Sequence, residues 1–413
     1  MSKKITLLCF VFCFKLTLKA QERCGTPTYF SGFANATAMA VEEARIQSQI
    51  LLNRNALQTR TVIRIPVVVH IIYLRDEENI SDENVYSQIA ALNRDYRHKN
   101  ADSTKTPDDW KNIAADIGFE FCLATKDPAG NPTTGITRTK TNRLFIGGGF
   151  DGFKHYSTGG IDGWNPQKYL NIWVGNIGTD LFGYAYYPTQ LLSTPANDGV
   201  VVNYKSFGIA SENFSTTNFG RTVVHEIGHW FNLIHTFGNG DGAYCSTDFV
   251  DDTPPEHVAA YKCSTFPKFD DCTFIGNGTM FMNYMDYGND SCINLFTKGQ
   301  KERMLAALSL YRSAILTSNG CGLVSGTSDL NAISFSVSPN PIQNGTFQCN
   351  FDSLINEGTV FVFDITGKRI FEQKFYASHQ LTLSLPALNT GLYFVQLVTD
   401  RGRTTVKLMN YER

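Results

Sequence analysis

The sequence carries almost no net charge: 36 lysines and arginines face 38 aspartates and glutamates, a formal −2 over 413 residues. So even a balance gives no electrostatic footing for nucleic acid or for an anionic membrane surface, and neither is expected as a partner. Charged side chains of any sign are sparse, at 18%, while aromatics reach 13% and glycines number 34. That composition suits an ordered, loop-rich extracellular protein better than a disordered one. Long apolar runs are missing as well. The one candidate, "ITLLCFVFCF", is ten residues followed by Lys15, too short to cross a bilayer. With "MSKK" ahead of it and "LKA" before Gln21, it reads as a secretory signal peptide over residues 1–20. No membrane span is expected, and the mature chain is expected to be secreted or held at the cell surface.

Export makes the cysteines disulfide candidates. Cys9 and Cys13 leave with the signal peptide, so eight of the ten remain. Cys245, Cys263, Cys272 and Cys292 form one cluster, for which sequence alone leaves three pairings open. Cys349 lies in a different region and reads as a buried free thiol, while Cys122 and Cys321 have no assigned role.

What the sequence does have is "RTVVHEIGHWFNLIHTF", residues 221 to 237. Residues four apart share one face of an α-helix, so His225 and His229 can offer two imidazole nitrogens to one ion with Glu226 beside them. His235 reaches the same ion only if the chain leaves the helix after His229. Asn232 stands where that turn must come, and asparagine tolerates positive φ better than most residues, at a cost of roughly 1 kcal/mol. Three neutral imidazoles suit Zn²⁺ and leave a fourth position for water, whose proton Glu226 can accept. The other reading of a lone HExxH, histidines on a wet helix face, loses ground because the third histidine matches the extended metzincin pattern. Fifty residues after His235 stands Met285, within "FMNYMDYGND", followed two residues on by Tyr287.

"HEIGHWFNLIHTF" followed by "NYMDY" resembles the pappalysins, metzincin zinc peptidases, and in particular their secreted bacterial branch. Asn232 departs from the glycine usual there. The resemblance implies Zn²⁺ on His225, His229 and His235, a Met-turn at Met285 beneath them, and Tyr287 steadying the oxyanion. It favours the pairs Cys245–Cys272 and Cys263–Cys292. It implies preference for arginine or lysine just after the cut bond, for which Asp290 is the acidic-pocket candidate; a solvated loop aspartate is the alternative. "VDDTPPE", residues 250–256, reads either as solvated turn chemistry or as oxygen ligands for Ca²⁺. The resemblance points to calcium, with Asp252 and Thr253 contributing. Cys24, in "RCGTP", is either a disulfide partner, an idle thiol, or a switch whose thiolate fills the open zinc position until a pro-segment is removed near Arg60 or Arg64. The resemblance favours the switch.

The expected fold class is α+β. Strands are expected over 62–74, 118–124, 169–176 and 199–204, and helices over 81–97 with Ser81 as cap, over 218–231, and after Thr297. "ATAMAVEEARIQSQILLNRNAL" is helix-prone. By analogy "LFGYAYYP", residues 181–188, forms a rim on which an extended peptide pairs as an added strand. The polar "GLVSGTSDLNA" introduces short alternating strands that predict an all-β sandwich. An adhesion or carbohydrate-binding module would fit, but "SVSPNP", "DITGKRI", "GLYFVQL" and "VKLM" resemble the sorting domain of the type IX secretion system, which would make that machinery a partner. The division is then signal peptide 1–20, pro-segment 21–60, catalytic domain 61–322, linker 323–331 and C-terminal domain 332–413. The function expected is a secreted zinc metalloendopeptidase acting on proteins and peptides and made as a zymogen. Its rivals are a zinc-containing surface binding protein without turnover and a zinc exopeptidase.

Overall fold

The computed structural model describes residues 23–26, 31, 33, 35–56, 62–143, 151–178, 181–189, 193–210, 213–238, 245–321, 335–342, 345–365, 368–385, 388–399 and 402–410. The expected signal peptide, the linker and Arg60 lie outside them. The chain divides into two compact units, residues 1–322 and 323–413. Among the described residues no helix is long and apolar enough to cross a membrane.

The first unit is built on β1 (Ile63–Tyr73), whose run "IRIPVVVHIIY" is buried on both faces, as a central parallel strand must be. β2 (Phe119–Leu123) and β3 (Ile136–Lys140) lie in tandem along one edge of β1, parallel to its first and second halves. On its other side come β4 (Leu170–Gly175) and β6 (Val200–Asn203), both parallel, and then β5 (Gly183–Ala185), antiparallel to β6. Pro66 sits in β1 before the β4 pairing begins at Val67, so its missing N–H costs no ladder bond there. The four expected strands therefore stand within one or two residues of their predicted bounds. Arg64, one of the two expected cut positions, lies inside β1 opposite Glu120.

α1 (Ala36–Ala56) packs on α5 (Lys298–Tyr311). α2 (Asp82–Tyr96) opens at Ser81, whose side chain accepts the Asn84 N–H, and has Asp82 and Glu83 in its first turn. A short helix, α3 (Asp108–Lys111), follows it. α2 packs on α4 (Arg221–Trp230), and α4 lies against β5 and β6. One core joins them, from Val67, Val69 and Ile71 of β1 through Leu92 and Tyr96 to Ile227, Trp230 and Met285. α5 begins with a capping box, Thr297 accepting from Gln300 N while the Gln300 side chain accepts the Thr297 N–H.

Both expected disulfides, Cys245–Cys272 and Cys263–Cys292, are present and staple the irregular segment between α4 and α5. A third, Cys122–Cys321, ties β2 to the chain beyond α5 over 199 residues. Sequence reading left that pair unassigned, although only those two cysteines remain once the clustered four, Cys24 and Cys349 are set aside. Cys24 and Cys349 are free and buried.

The second unit is all-β, as expected. Its strands β7 (Phe335–Ser338), β8 (Thr346–Phe363), β9 (Arg369–Ser384), β10 (Gly391–Thr399) and β11 (Gly402–Asn410) form one antiparallel sheet rather than two separate ones. A register shift between Asn350 and Ile355 interrupts the long β8–β9 ladder, and the sheet shares a core of Phe347, Val360, Val362, Val395 and Leu408.

Candidate metal centre and cleft

α4 ends as the sequence requires. Asn232 takes φ 72°, and the turn closes with Leu233 N–H bonded to Gly228 O (2.9 Å) and Asn232 N–H to His229 O (2.8 Å). This six-to-one and five-to-two pair is a Schellman motif with asparagine in the left-handed position. The chain then doubles back, and His235 meets the two helical histidines.

The three Nε2 atoms stand 3.0, 3.1 and 3.2 Å from one another. His225 Nδ1 donates to Tyr284 O and His229 Nδ1 to Leu233 O, both at 2.7 Å, which leaves the Nε2 lone pairs of these two rings free. Burial holds all three imidazoles neutral, with His225 lowered to about 4 and the other two well below their ordinary value. Lone pairs converging at this spacing repel unless a cation lies among them. Tetrahedral ligands ~2.0–2.1 Å from one ion stand about 3.3 Å apart, so the donor set fits Zn²⁺. Cys24 Sγ falls within the same 4.8 Å cluster as the three histidines.

Met285 is fully buried under the ligands, and Gly228 explains how it comes so close: a Cβ on that residue would stand 2.5 Å from Met285 Sδ. Asn283 Oδ1 accepts the Met285 N–H, and Asn283 pairs side chain to side chain with Gln300, so the turn is fastened to the cap of α5. The Tyr287 ring meets that of His235 edge-on, 5.0 Å between centroids, and lies tilted 5.9 Å from that of His225.

Glu226 is 1% exposed, and burial pushes its carboxyl up to about 8. Its Oε2 accepts from Thr26 Oγ1 (3.0 Å) and from Cys24 Sγ (3.4 Å). Sequence reading missed Thr26. β5 lies directly above, since a Cβ on Gly183 would meet Glu226 Cγ at 3.0 Å. Residues 23–26 run parallel along β5, with Phe182 N–H bonded to Arg23 O, Gly25 N–H to Gly183 O, and Ala185 N–H to Thr26 Oγ1. The expected rim is therefore an edge on which an extended chain already pairs.

Arg23 points into a cavity lined by Thr217, Arg221, His225, Asp286, Tyr287 and Asp290, among others. Its guanidinium donates to Gly288 O (2.8 Å) and Asn289 Oδ1 (2.7 Å), and Asp290 is its strongest attractive neighbour. Asp290 is buried, not a solvated loop residue. Its Oδ2 accepts from Phe219 N and Arg221 N, and burial pushes its carboxyl up to about 6.

The two expected calcium residues turn to different partners. Asp252 accepts from the hydroxyl of the N-cap Thr297 at Oδ1 (2.6 Å) and from the first-turn Gly299 N–H of α5 at Oδ2 (2.9 Å). A carboxylate at a helix start is stabilised by the unpaired N–H groups there. Thr253 Oγ1 instead meets Asp248 Oδ2 (2.7 Å) and Val250 O (2.8 Å). Asp248 was missed because a lone aspartate in "STDFV" carries no spacing signal.

A family model described as pregnancy-associated plasma protein-A, a peptidase family, matches residues 160–309, and one described as a secretion system C-terminal sorting domain matches residues 336–410. An extracellular metalloprotease of Pyricularia oryzae is 29% identical over 311 residues, 72% of this chain and 92% of that protein. Mature mirolysin of Tannerella forsythia, solved in complex with a cleaved peptide, superposes with a TM-score of 0.61 at 45% identity, covering 62% of this chain and 96% of the other. A mutant of promirolysin from the same organism gives 0.66 at 40% identity, covering 71% and 97%.

Proposed function

Since the chain belongs to the pappalysin family of metallopeptidases and carries a secretion sorting domain, we propose that this secreted metalloprotease is a zymogen that cuts internal peptide bonds before arginine or lysine. One observation carries the specificity: Arg23, held on β5 as a substrate strand would be, sends its guanidinium beside Asp290. A peptide bound along the same edge would lay a basic side chain in the same cavity.

His225, His229 and His235 would hold zinc, which when bound supplies a Lewis acid that polarises the water and the scissile carbonyl. β5 aligns the substrate backbone and Asp290 its basic residue. Glu226 accepts a proton from the attacking water at its carboxylate and returns it to the leaving amine nitrogen. The Tyr287 hydroxyl donates to the carbonyl oxygen as charge grows there. In the zymogen the Cys24 sulfur would hold the fourth ligand position, while Thr26 bonds the general base. Calcium is assigned to Asp248, Val250 O and Thr253 rather than to Asp252; the buried Asp248 carboxyl, pushed up to about 7, favours a cation beside it.

The test is casein digestion by the activated protein, with Glu226→Ala as control and product termini read by mass spectrometry. Internal cuts by the wild type alone, with Arg or Lys at the new N-termini, are expected, and the control should fall by at least ~10²-fold. Internal cuts without that bias would discard the Asp290 assignment. Trimming only from chain ends would favour an exopeptidase.

A further inference from the structure

Residues 21–60 meet the rest of the unit at the metal centre, at Phe33 and Met39, which pack by Tyr187 and Ile234, and along α1, which lies on α5. α1 turns a stripe of Glu43, Ile46 and Ile50 inward, at the three- and four-residue spacing of one helix face. Ile46 and Ile50 pack on Ala306, Ala307 and Tyr311. Between the helices Glu43 receives both terminal nitrogens of Arg303, at 2.7 and 2.8 Å, and Arg303 is 0% exposed. The remaining donor of that guanidinium, Nε, bonds Asn232 O at 2.7 Å, so the residue that receives α1 also holds the turn before His235. At the rim Arg54 pairs with both oxygens of Glu302.

Losing Glu43 alone would leave the Arg303 charge buried without its carboxylate, which is far costlier than losing an exposed pair. A cut between Ala56 and Ile63 breaks none of these contacts, and none of those made by residues 23–26. Each contact region keeps the others at high local concentration. We infer that the face of α5 around Arg303 is a docking surface that retains the severed pro-segment as a bound inhibitor. Cutting and activation are then separate events. This rests on the reading of residues 21–60 as a removable pro-segment.

The test uses the full chain with a recognition sequence for a site-specific protease placed between Ala56 and Ile63. After the cut, native mass spectrometry and hydrolysis of a short arginine-containing fluorogenic peptide are followed together. The mass of the complex should persist, and activity should stay at least about tenfold below its final value until the segment is itself degraded. Glu43→Ala, or independently Ile46→Ala with Ile50→Ala, should release the segment on cutting and bring activity at once. The proposal is overturned if the wild-type segment departs as fast as it is cut, or if the intact complex is already fully active. Full activity in the uncut protein would instead remove the pro-segment reading itself.

Discussion

Asn232 sets where the third ligand goes, and it does so under strain. Its φ of 72° is costly for any residue with a Cβ, and its side-chain oxygen and nitrogen are both buried with no partner among the described residues. The amide therefore carries a desolvation cost of about 1–3 kcal/mol besides about 1 kcal/mol of backbone strain. Glycine would remove both and lose about 0.5–1 kcal/mol to the freer unfolded chain. Asn232→Gly should thus stabilise the protein by about 1–3 kcal/mol, read as a raised midpoint in urea, with metal content unchanged. A lower midpoint would mean that the amide has a bonded water the substitution strands. The meeting of the three histidines, Glu226 and this turn were legible in the sequence because they depend on spacing within one helix and its exit. Thr26, Asp248 and Arg303 were not, since each acts through a partner set by tertiary packing: Thr26 on Glu226, Asp248 in a loop without periodicity, Arg303 on Glu43, 260 residues away.

At the level of elements, the edge proposed for substrate depends on a strand of three residues, β5, which is too short to hold itself. Its outer support is Lys154. The ammonium lies 4.1 Å over Tyr186 and 5.2 Å over Tyr184, donates to Asn197 O at 2.7 Å, and pairs with Asp151 at 3.2 Å, with Asp198 as a further attractive charge. Burial lowers its pKa from 10.5 to about 8. The unfolded chain keeps that proton up to about pH 10.5 and the folded chain loses it near 8, so the unfolded state binds more protons between those values. Stability from this group therefore rises with pH through that window, by about 1.4 kcal/mol per unit. Between pH 8 and 9.5 the wild type should gain about 2 kcal/mol on Lys154→Met in urea unfolding; a constant difference would show that Lys154 titrates normally. Which elements the sequence disclosed follows the same logic of local against distant signal. β1 and α2 were visible as a doubly buried apolar run and as a capped amphipathic helix, and α5 through its Thr297 cap. β3, "ITRTK", has no fully buried residue and shows no apolar alternation, so only its pairing with β1 makes it a strand. Cys122–Cys321 likewise depends on β2 meeting the end of the first unit.

For the whole molecule, the two units close separate cores, one centred on β1 and α4 and the other on β8 and β10. No residue of either core comes from the other unit, so each has the means to fold without the other. Every group assigned to binding, catalysis or latency lies before residue 322, whereas the sorting domain matches residues 336–410. Export and peptide cleavage should therefore separate cleanly. A chain ending at Gly322 should fold with all three disulfides, and once activated should cleave the arginine peptide within about twofold of the full-length rate. In cells that depend on type IX secretion, the same truncation should remain inside the outer membrane, where fractionation and immunoblotting would find it. Loss of activity in the purified truncated chain would mean that the second unit supports the cleft, which its separate core gives no reason to expect. Export of the truncated chain would mean that the address lies elsewhere in the sequence.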